Sequence, residues 1–498
     1  MVKKVLFVSA EVYPFAKVGG LADVAGALPK ALHNLGVDVR IIMPYYGDIQ
    51  RKSGEFNIKP TDVKNIPVVV GDIVERFSLY QAYLPGTDVP VYFVRSQRYF
   101  DRMGIYFDPE TKKDFPDQDE RLVFFAKAVL DAAPALGFPP QIIHTNDHHT
   151  SIIPAYLKLT HSHHPIWRPV ASVLTIHNLA YQGIFEKDVL HKMGLGEELF
   201  YPTGPFEFFG KVNFLKIGIL FADAVNTVSP TYAKEIQTPE YGHKLDGLLR
   251  SVSHKLFGIL NGVDTTVWNP ATDQHIEYHY SAEDLSGKRK MKSVVLKQFN
   301  LPEDLDTPLI GMIGRMADQK GYDLVAQILP DLMKENLKMV VLGSGDPKYE
   351  KLFTDLAKKF PGKLGVYTGF NGPLAHKIEA GADMFVMPSR FEPCGLNQMY
   401  SLLYGTVPIV RKTGGLADTV IDADQFPERG NGFVFEEYKP EALFGAIQRA
   451  LNAFADKERW RSIMLRGMKE DFSWERSARK YLELYDKAIQ FKYGSSAV

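Results

Sequence analysis

Residues 5–43 read VLFVSAEVYPFAKVGGLADVAGALPKALHNLGVDVRIIM, and this stretch decides the fold. Val5-Leu6-Phe7-Val8 is a short, continuously apolar run, the pattern of a parallel strand buried on both faces. A loop ending in Lys17-Val18-Gly19-Gly20 follows. Leu21, Val24, Ala25, Leu28, Ala31, Leu32 and Leu35 then recur at helical spacing, and Gly36 is placed to end the helix. Val39 to Met43 is a second apolar run. Strand, helix and parallel strand make one βαβ unit, and a chain built from such units forms a parallel sheet covered on both faces.

The same alternation continues through Pro90–Val94, Gln141–His144 and Val170–Ile176, and restarts from about Gly258. Strands are expected at Leu309–Ile313, Lys338–Leu342, Val366-Tyr367, Met384–Met387 and Val407–Val410, with helices across Tyr322–Lys334 and Leu396–Tyr404. Two such series in 498 residues predict two doubly wound α/β domains facing each other across an interdomain cleft. We place the first at residues 1–245, a hinge at 246–262, the second at 263–473, and a C-terminal helix at 474–498. In that helix Ala478, Tyr481, Leu482, Leu484 and Tyr485 are apolar anchors.

Composition excludes several classes. Lys plus Arg (58) nearly cancel Asp plus Glu (59), so no global basic field draws nucleic acid or a membrane surface. No uncharged apolar stretch approaches the ~20 residues that span a bilayer. The two lysines before the first apolar run mimic a signal peptide, but Glu11 breaks that run early. The single cysteine, Cys394, fits a reducing compartment, and a cytoplasmic location is expected.

Several loops at expected strand ends carry chemistry. Lys17 with Gly19 and Gly20 at a helix start offers a point charge and close-approach backbone N–H groups to an anion. Taken alone it is as readily a glycine turn beside a surface lysine. Gly19-Gly20-Leu21-Ala22-Asp23 recurs, however, as Gly414-Gly415-Leu416-Ala417-Asp418, once in each domain. After the strand ending at Ile313 come Arg315 and Lys320, a fork-shaped donor and a point charge suited to a diphosphate without metal. Arg390-Phe391-Glu392-Pro393-Cys394-Gly395-Leu396 follows another strand. There Glu392 can accept sugar hydroxyls, Gly395 and Leu396 can offer backbone N–H groups, and Cys394 lines the site as a thiol with no histidine near it in sequence. His177-Asn178-Leu179-Ala180-Tyr181-Gln182-Gly183 closes the strand Ser172–Ile176 with polar groups matched to sugar hydroxyls.

Other patterns read as structural. His161, His163 and His164 lack an accompanying carboxylate or cysteine set and form a solvated loop. Asp117–Asp119, Asp304–Asp306 and Asp422–Asp424 lie in loop-like contexts, so no metal site is assigned. Gly343-Ser344-Gly345 lacks the third glycine of a dinucleotide fingerprint, and no phosphate-binding P-loop sequence is present.

Taken in order and spacing, these motifs, with Thr413 to Val420, resemble the bacterial glycogen synthase and plant starch synthase family over essentially the whole chain. The resemblance implies a GT-B fold of two Rossmann-like domains, the C-terminal helix crossing back onto the first. It implies retaining transfer of glucose from ADP-glucose to the non-reducing 4-hydroxyl of an α-1,4-glucan such as glycogen, with no cofactor. By motif, Lys17 and the Gly19-Gly20 backbone contact the donor, with Asp23 beside them. Arg315 and Lys320 hold its diphosphate and stabilise the leaving group. His177 contacts the transferred glucose, its carbonyl near the anomeric centre, with Asn178 next to it. Glu392 and the Cys394-Gly395-Leu396 segment bind glucose hydroxyls, Asn261 is a donor-site asparagine, Asp147 lies on the acceptor side, and Thr413, Gly414 and Gly415 form a phosphate loop. Two positions depart from the family pattern. His148 stands where tryptophan is frequent, and Phe370 stands where tyrosine commonly stacks on adenine.

The alternatives are a UDP-glucose-using or sucrose-synthase-like transferase, a glucan phosphorylase, and a silent α-glucan-binding protein. A phosphorylase would carry pyridoxal phosphate, visible in a near-ultraviolet spectrum. A pure glucan binder has no use for the diphosphate ligands Arg315 and Lys320.

Overall fold

The structure is a computed structural model that describes residues 4–494. The lysine at position 3 and the start before it, and the last four positions of the expected C-terminal helix, lie outside the described residues. The chain divides into two compact units. The first comprises the described residues up to Val228, Ala233–Gly262 and the segment from Trp474 onward; the second comprises Ser229–Tyr232 and Val263–Ser473.

The first unit is built on a ten-stranded sheet. Seven strands run parallel, in the spatial order Leu256–Gly258, Ala224–Thr227, Ala171–Ile176, Ile142–Asn146, Lys4–Val8, Asp38–Pro44 and Pro90–Arg95. The central ones are buried along nearly their whole length, which is why they read as unbroken apolar runs. An antiparallel extension, Ile73–Tyr83 with Lys59–Pro60 and Ile66–Val70, closes one edge. This extension alternates inside and outside positions and has no counterpart in the sequence reading.

Residues 246–262 do not stand apart as a hinge. They carry the helix Asp246–Ser251 and the strand Leu256–Gly258, which pairs with Ala224–Thr227 and extends the first sheet. The chain leaves this unit at Gly262 and returns at Trp474. The two crossings run side by side. The Val263 N–H donates to the Phe472 carbonyl at 2.7 Å, and a Cβ added at Gly262 would meet Trp474 Cα at 2.6 Å.

The helix Trp474–Tyr493 lies on the first unit, against the helix Gly20–Asn34 and the strands Ala171–Ile176 and Ala224–Thr227. It buries Ala478, Tyr481, Leu484, Tyr485 and Ala488, with Leu482 at the margin. Its two buried phenols have polar partners: His144 Nδ1 lies 2.9 Å from Tyr485 Oη, and Asn226 Nδ2 donates to Tyr481 Oη at 3.0 Å. His144 is fully buried, and burial pushes its imidazole down to about 3.

The second unit holds six parallel strands in the order Leu364–Thr368, Lys338–Gly343, Leu309–Ile313, Met384–Met387, Val407–Arg411 and Phe433–Phe435. Helices such as Tyr322–Leu332 and Pro440–Ala455 cover it, and their apolar faces form its own core. Among the described residues no helix is long and apolar enough to cross a membrane.

Candidate active site

In an open parallel sheet, the loops after two neighbouring strands whose connections run to opposite sides part to form a crevice. In the second unit that point lies between Leu309–Ile313 and Met384–Met387. The loops following them hold Arg315, Lys320 and Glu392. Lys320 Nζ donates to Glu392 Oε2 at 2.6 Å, and Ser389 Oγ donates to the same oxygen at 3.0 Å. Glu392 is only 6% exposed, so its carboxylate is fixed, while Arg315 is exposed and donates to Gln319 Oε1 at 2.9 Å.

Glycines let these loops meet. Gly321 has φ +78°, and a Cβ there would come within 2.2 Å of the Pro388 carbonyl oxygen. The Arg390 N–H donates to the Gln319 carbonyl, and Arg411 Nη1 donates to the Arg390 carbonyl at 2.6 Å. The Thr413 loop closes on the same place. A Cβ on Gly414 would meet the Glu392 carbonyl oxygen at 1.8 Å, and one on Gly415 the Cys394 carbonyl oxygen at 1.9 Å. Arg315, Lys320, Glu392, Cys394, Gly395, Leu396, Thr413, Gly414 and Gly415 therefore sit on three interlocked loops. Cys394 is buried there, and Leu396 precedes the helix Asn397–Leu403. Phe370, before the helix Gly372–Gly381, stands apart on the loop after the edge strand and is 95% exposed. The Gly343-Ser344-Gly345 turn is structural, because a Cβ at Gly345 would meet the Met316 carbonyl oxygen at 2.5 Å.

In the first unit the corresponding point lies between Lys4–Val8 and Ile142–Asn146. The loops after these strands carry Lys17, Gly19 and Gly20 on one side and Asp147 on the other. Lys17 Nζ pairs with Asp23 Oδ1 at 2.7 Å on the surface. A Cβ added at Gly19 or Gly20 would meet nothing within 4 Å. Asp147 has φ +53°, is 9% exposed and accepts the His177 N–H at 2.7 Å. Burial pushes its carboxyl up to about 7 against the pull of the His177 and Asn178 N–H groups. His177 Nε2 lies 2.9 Å from Asn146 Oδ1, and burial holds its ring down to about 3, in the neutral form at neutral pH. Asn178 Oδ1 accepts the Ala180 N–H at 3.0 Å within its own loop, while Asn261, on the loop after the edge strand, buries an Oδ1 with no hydrogen-bond partner.

The aspartate pairs singled out in the sequence make ordinary contacts. Asp117 pairs with Arg102, Asp304 accepts from Thr307, and Asp422 and Asp424 take Arg449.

Two family models match in succession, a starch synthase catalytic domain over residues 4–251 and glycosyl transferases group 1 over residues 296–463. A glycogen synthase of Thermosipho africanus (strain TCF52B) is 46% identical over 490 residues, covering 98% of this chain and 99% of its own. The chain belongs to the glycogen synthase family. A glycogen synthase of Desulforudis audaxviator is 47% identical over 98% of this chain, 97% of its own length. The solved catalytic domain of starch synthase IV from Arabidopsis thaliana, bound to ADP and acarbose, superimposes with a TM-score of 0.87 at 33% identity, over 98% of this chain and 100% of that one. The chain is thus a glycosyltransferase of GT-B fold, as its motifs imply.

In this glycogen synthase family member the structure adds residues that sequence reasoning passed over. Glu11, 4% exposed, accepts the Val18 and Gly19 N–H groups on Oε2 at 2.5 and 2.9 Å, so a carboxylate of the chain itself braces the glycine loop. Tyr106 Oη donates to Glu11 Oε1 at 2.5 Å, and its ring stacks on His149 at 4.5 Å. His149 in turn lies 3.8 Å from the ring of His148, whose Nδ1 is 3.2 Å from the Tyr181 carbonyl oxygen. A carboxylate three residues beyond the first apolar strand, at the ligand-binding edge of a parallel sheet, was a usable signal for Glu11. Tyr106 lies 95 positions away from it and gave none.

Proposed function

We propose that the chain transfers glucose from ADP-glucose to the non-reducing 4-hydroxyl of an α-1,4-glucan, with retention at the anomeric carbon and release of ADP. The observation that carries this reading is the set Arg315, Lys320 and Glu392 gathered at the crevice point of the second sheet. Two cations and a fixed carboxylate there match a sugar joined to a diphosphate. The names of the glycogen synthase relatives, and the ADP and acarbose of the starch synthase IV structure, support the same pairing of substrates.

In this reading the second unit binds the nucleotide-sugar and the first is the acceptor side. Arg315 and Lys320 hold the diphosphate and stabilise the negative charge that grows as the bond to C1 breaks. Glu392 and the Cys394-Gly395-Leu396 segment take glucose hydroxyls, and Thr413 to Gly415 offer N–H groups to phosphate. Phe370 supplies a face for the base, and Asn261 a donor-site amide. His177, neutral, contributes its carbonyl toward the positive anomeric centre. Lys17, Gly19 and Gly20, with Asp23 fixing the lysine, add donor contacts, and Asp147 and Asn178 position the acceptor end.

The test is incubation of the purified chain with glycogen and either ADP-glucose or UDP-glucose. ADP release equal to glucose incorporated, with ADP-glucose preferred, is expected. Preference for UDP-glucose would overturn the donor assignment. Release of sugar phosphate from glycogen and inorganic phosphate, together with a bound-cofactor absorption band, would overturn the reaction.

A further inference from the structure

Phe209 is 72% exposed, more than any other large apolar side chain among the described residues except Phe370. It also has φ +53°, a left-handed conformation that costs a bulky residue energy and that asparagine or glycine adopts more easily. The ring stands at the tip of a two-residue turn closed by the Phe208 N–H to the Lys211 carbonyl at 2.7 Å, followed by Gly210 at φ +80°. Glu207 holds the tip by accepting the Gly210 N–H at 2.7 Å and the Thr203 N–H at 3.2 Å. Residues kept in strained backbone with their side chains bare mark sites of use rather than packing.

The turn is continuous with the candidate acceptor loop. It directly precedes Val212–Asn213, which pairs antiparallel with Ile184–Phe185, and the Phe214 and Leu215 N–H groups donate to the Gly183 and Gln182 carbonyls. Beside it, His243 and Lys244 also have positive φ, 46° and 68°. Gln182 Nε2 donates to the His243 carbonyl at 3.1 Å, and Lys244 Nζ lies 5.0 Å from the Phe209 ring centroid. Tyr181, 58% exposed, belongs to the same loop, and its carbonyl meets His148. All of these residues belong to the first unit.

We propose that Phe209, Tyr181 and Lys244 form a track for the acceptor glucan, leading away from Asp147 and His177. The claim rests on the glucan-transfer reading above and names where the chain of the acceptor lies. A glucose ring has an apolar C–H face and a rim of hydroxyls. Bare aromatic faces take the first, and a phenol and an ammonium take the second. Lys244 and Glu207 carry opposite charges, as do Lys211 and Glu186, paired at 2.6 Å, so the patch favours a neutral ligand over a polyanion.

The test is electrophoresis of the full chain through native gels with and without glycogen, with no donor present. In Phe209→Gly the dissociation constant for glycogen should rise about fivefold. Its melting temperature should hold or rise, because glycine accepts the left-handed turn without strain. Phe209→Trp should restore retention. In transfer assays the Phe209→Gly change should fall on the glucan KM and leave kcat and the donor KM in place. Retention of Phe209→Gly equal to wild type, or no retention of the wild type, overturns the track. Transfer from ADP-glucose by the wild type is read separately, so failure of the reaction and failure of the track are told apart.

Discussion

Glu392 and Lys17 occupy contrasting settings, and substitutions there should fail in different ways. Glu392 is buried, paired with Lys320 and held by Ser389, so its carboxylate is rigid before any ligand arrives. Rigid groups aimed at a reacting centre act on the transition state, and removing one typically costs ~10²–10³ in kcat. Glu392→Ala should therefore lower kcat by about that factor with a modest change in donor KM, measured by steady-state ADP release. Lys17 is exposed, and its ion pair with Asp23 is worth little to stability. Lys17→Ala should raise the ADP-glucose KM about tenfold while the melting temperature stays within a degree or two. Wild-type kinetics in both variants would remove them from the site. Glu11 explains why Lys17 presents a defined face at all, since its carboxylate fixes the two residues that follow the lysine.

At the scale of elements, two stretches with the same five letters, Gly-Gly-Leu-Ala-Asp, turn out to do different work. Gly414 and Gly415 are glycines because the 392–394 backbone lies against them, whereas Gly19 and Gly20 face open space. Their aspartates differ too: Asp23 pairs with Lys17, and Asp418 accepts the Thr231 N–H and hydroxyl. Gly415→Ala should lower both the melting temperature and activity, because the Cys394 loop must move. Gly20→Ala should keep the wild-type melting temperature and lose activity alone, through the space a donor needs. A destabilised Gly20→Ala would contradict this, and calorimetry beside an ADP-release assay decides.

The repeat itself was legible in the sequence, and so were the buried parallel strands, because a strand covered on both faces leaves an unbroken apolar run. The antiparallel edge, the strands Ala224–Thr227, Leu256–Gly258 and Phe433–Phe435, and the Glu11–Tyr106 brace were not. They are short or half-exposed, or they join residues far apart in the chain. The loop positions of Lys17, Arg315, Lys320 and Glu392 could be read because each follows a recognisable strand, whereas Asn261 follows the unread strand Leu256–Gly258 and came only from the family resemblance. Phe209 could not, since its meaning lies in a dihedral angle.

His144 belongs to the same scale, since it joins the sheet to the last helix. Its folded imidazole is held down to about 3, against an ordinary value of 6.5. Below pH 6.5 the unfolded chain takes up a proton that the folded chain refuses. Its share of stability is thus full above pH 6.5 and is lost as pH falls toward 3, at up to ~1.4 kcal/mol per pH unit. His144 Nε2 also lies 2.7 Å from Thr175 Oγ1. His144→Gln can still bond Tyr485 and Thr175 but does not titrate, so its melting temperature should fall less between pH 7 and pH 5 than that of wild type. Equal falls would place the acid sensitivity elsewhere.

The whole molecule is one unit interrupted by another. The second unit is almost entirely continuous in sequence, with its own sheet and core, whereas the first is assembled from segments on both sides of it. Residues 263–473 expressed alone should unfold cooperatively on heating. Residues 1–262 alone should not, because the surfaces that receive Tyr481, Leu484 and Tyr485 are uncovered and His144 and Asn226 lose their hydroxyl partners. Supplying residues 474–498 on a linker should restore a cooperative transition, and a cooperative 1–262 fragment would refute the scheme. The return of the chain at Trp474 also sets the order of events on the ribosome. At ~5–20 residues per second, the inserted unit takes about 10–40 s to synthesise. For that interval the part of the enzyme made first waits unfinished, its groove for the last helix open to water and to chaperones. The part begun second can close before it.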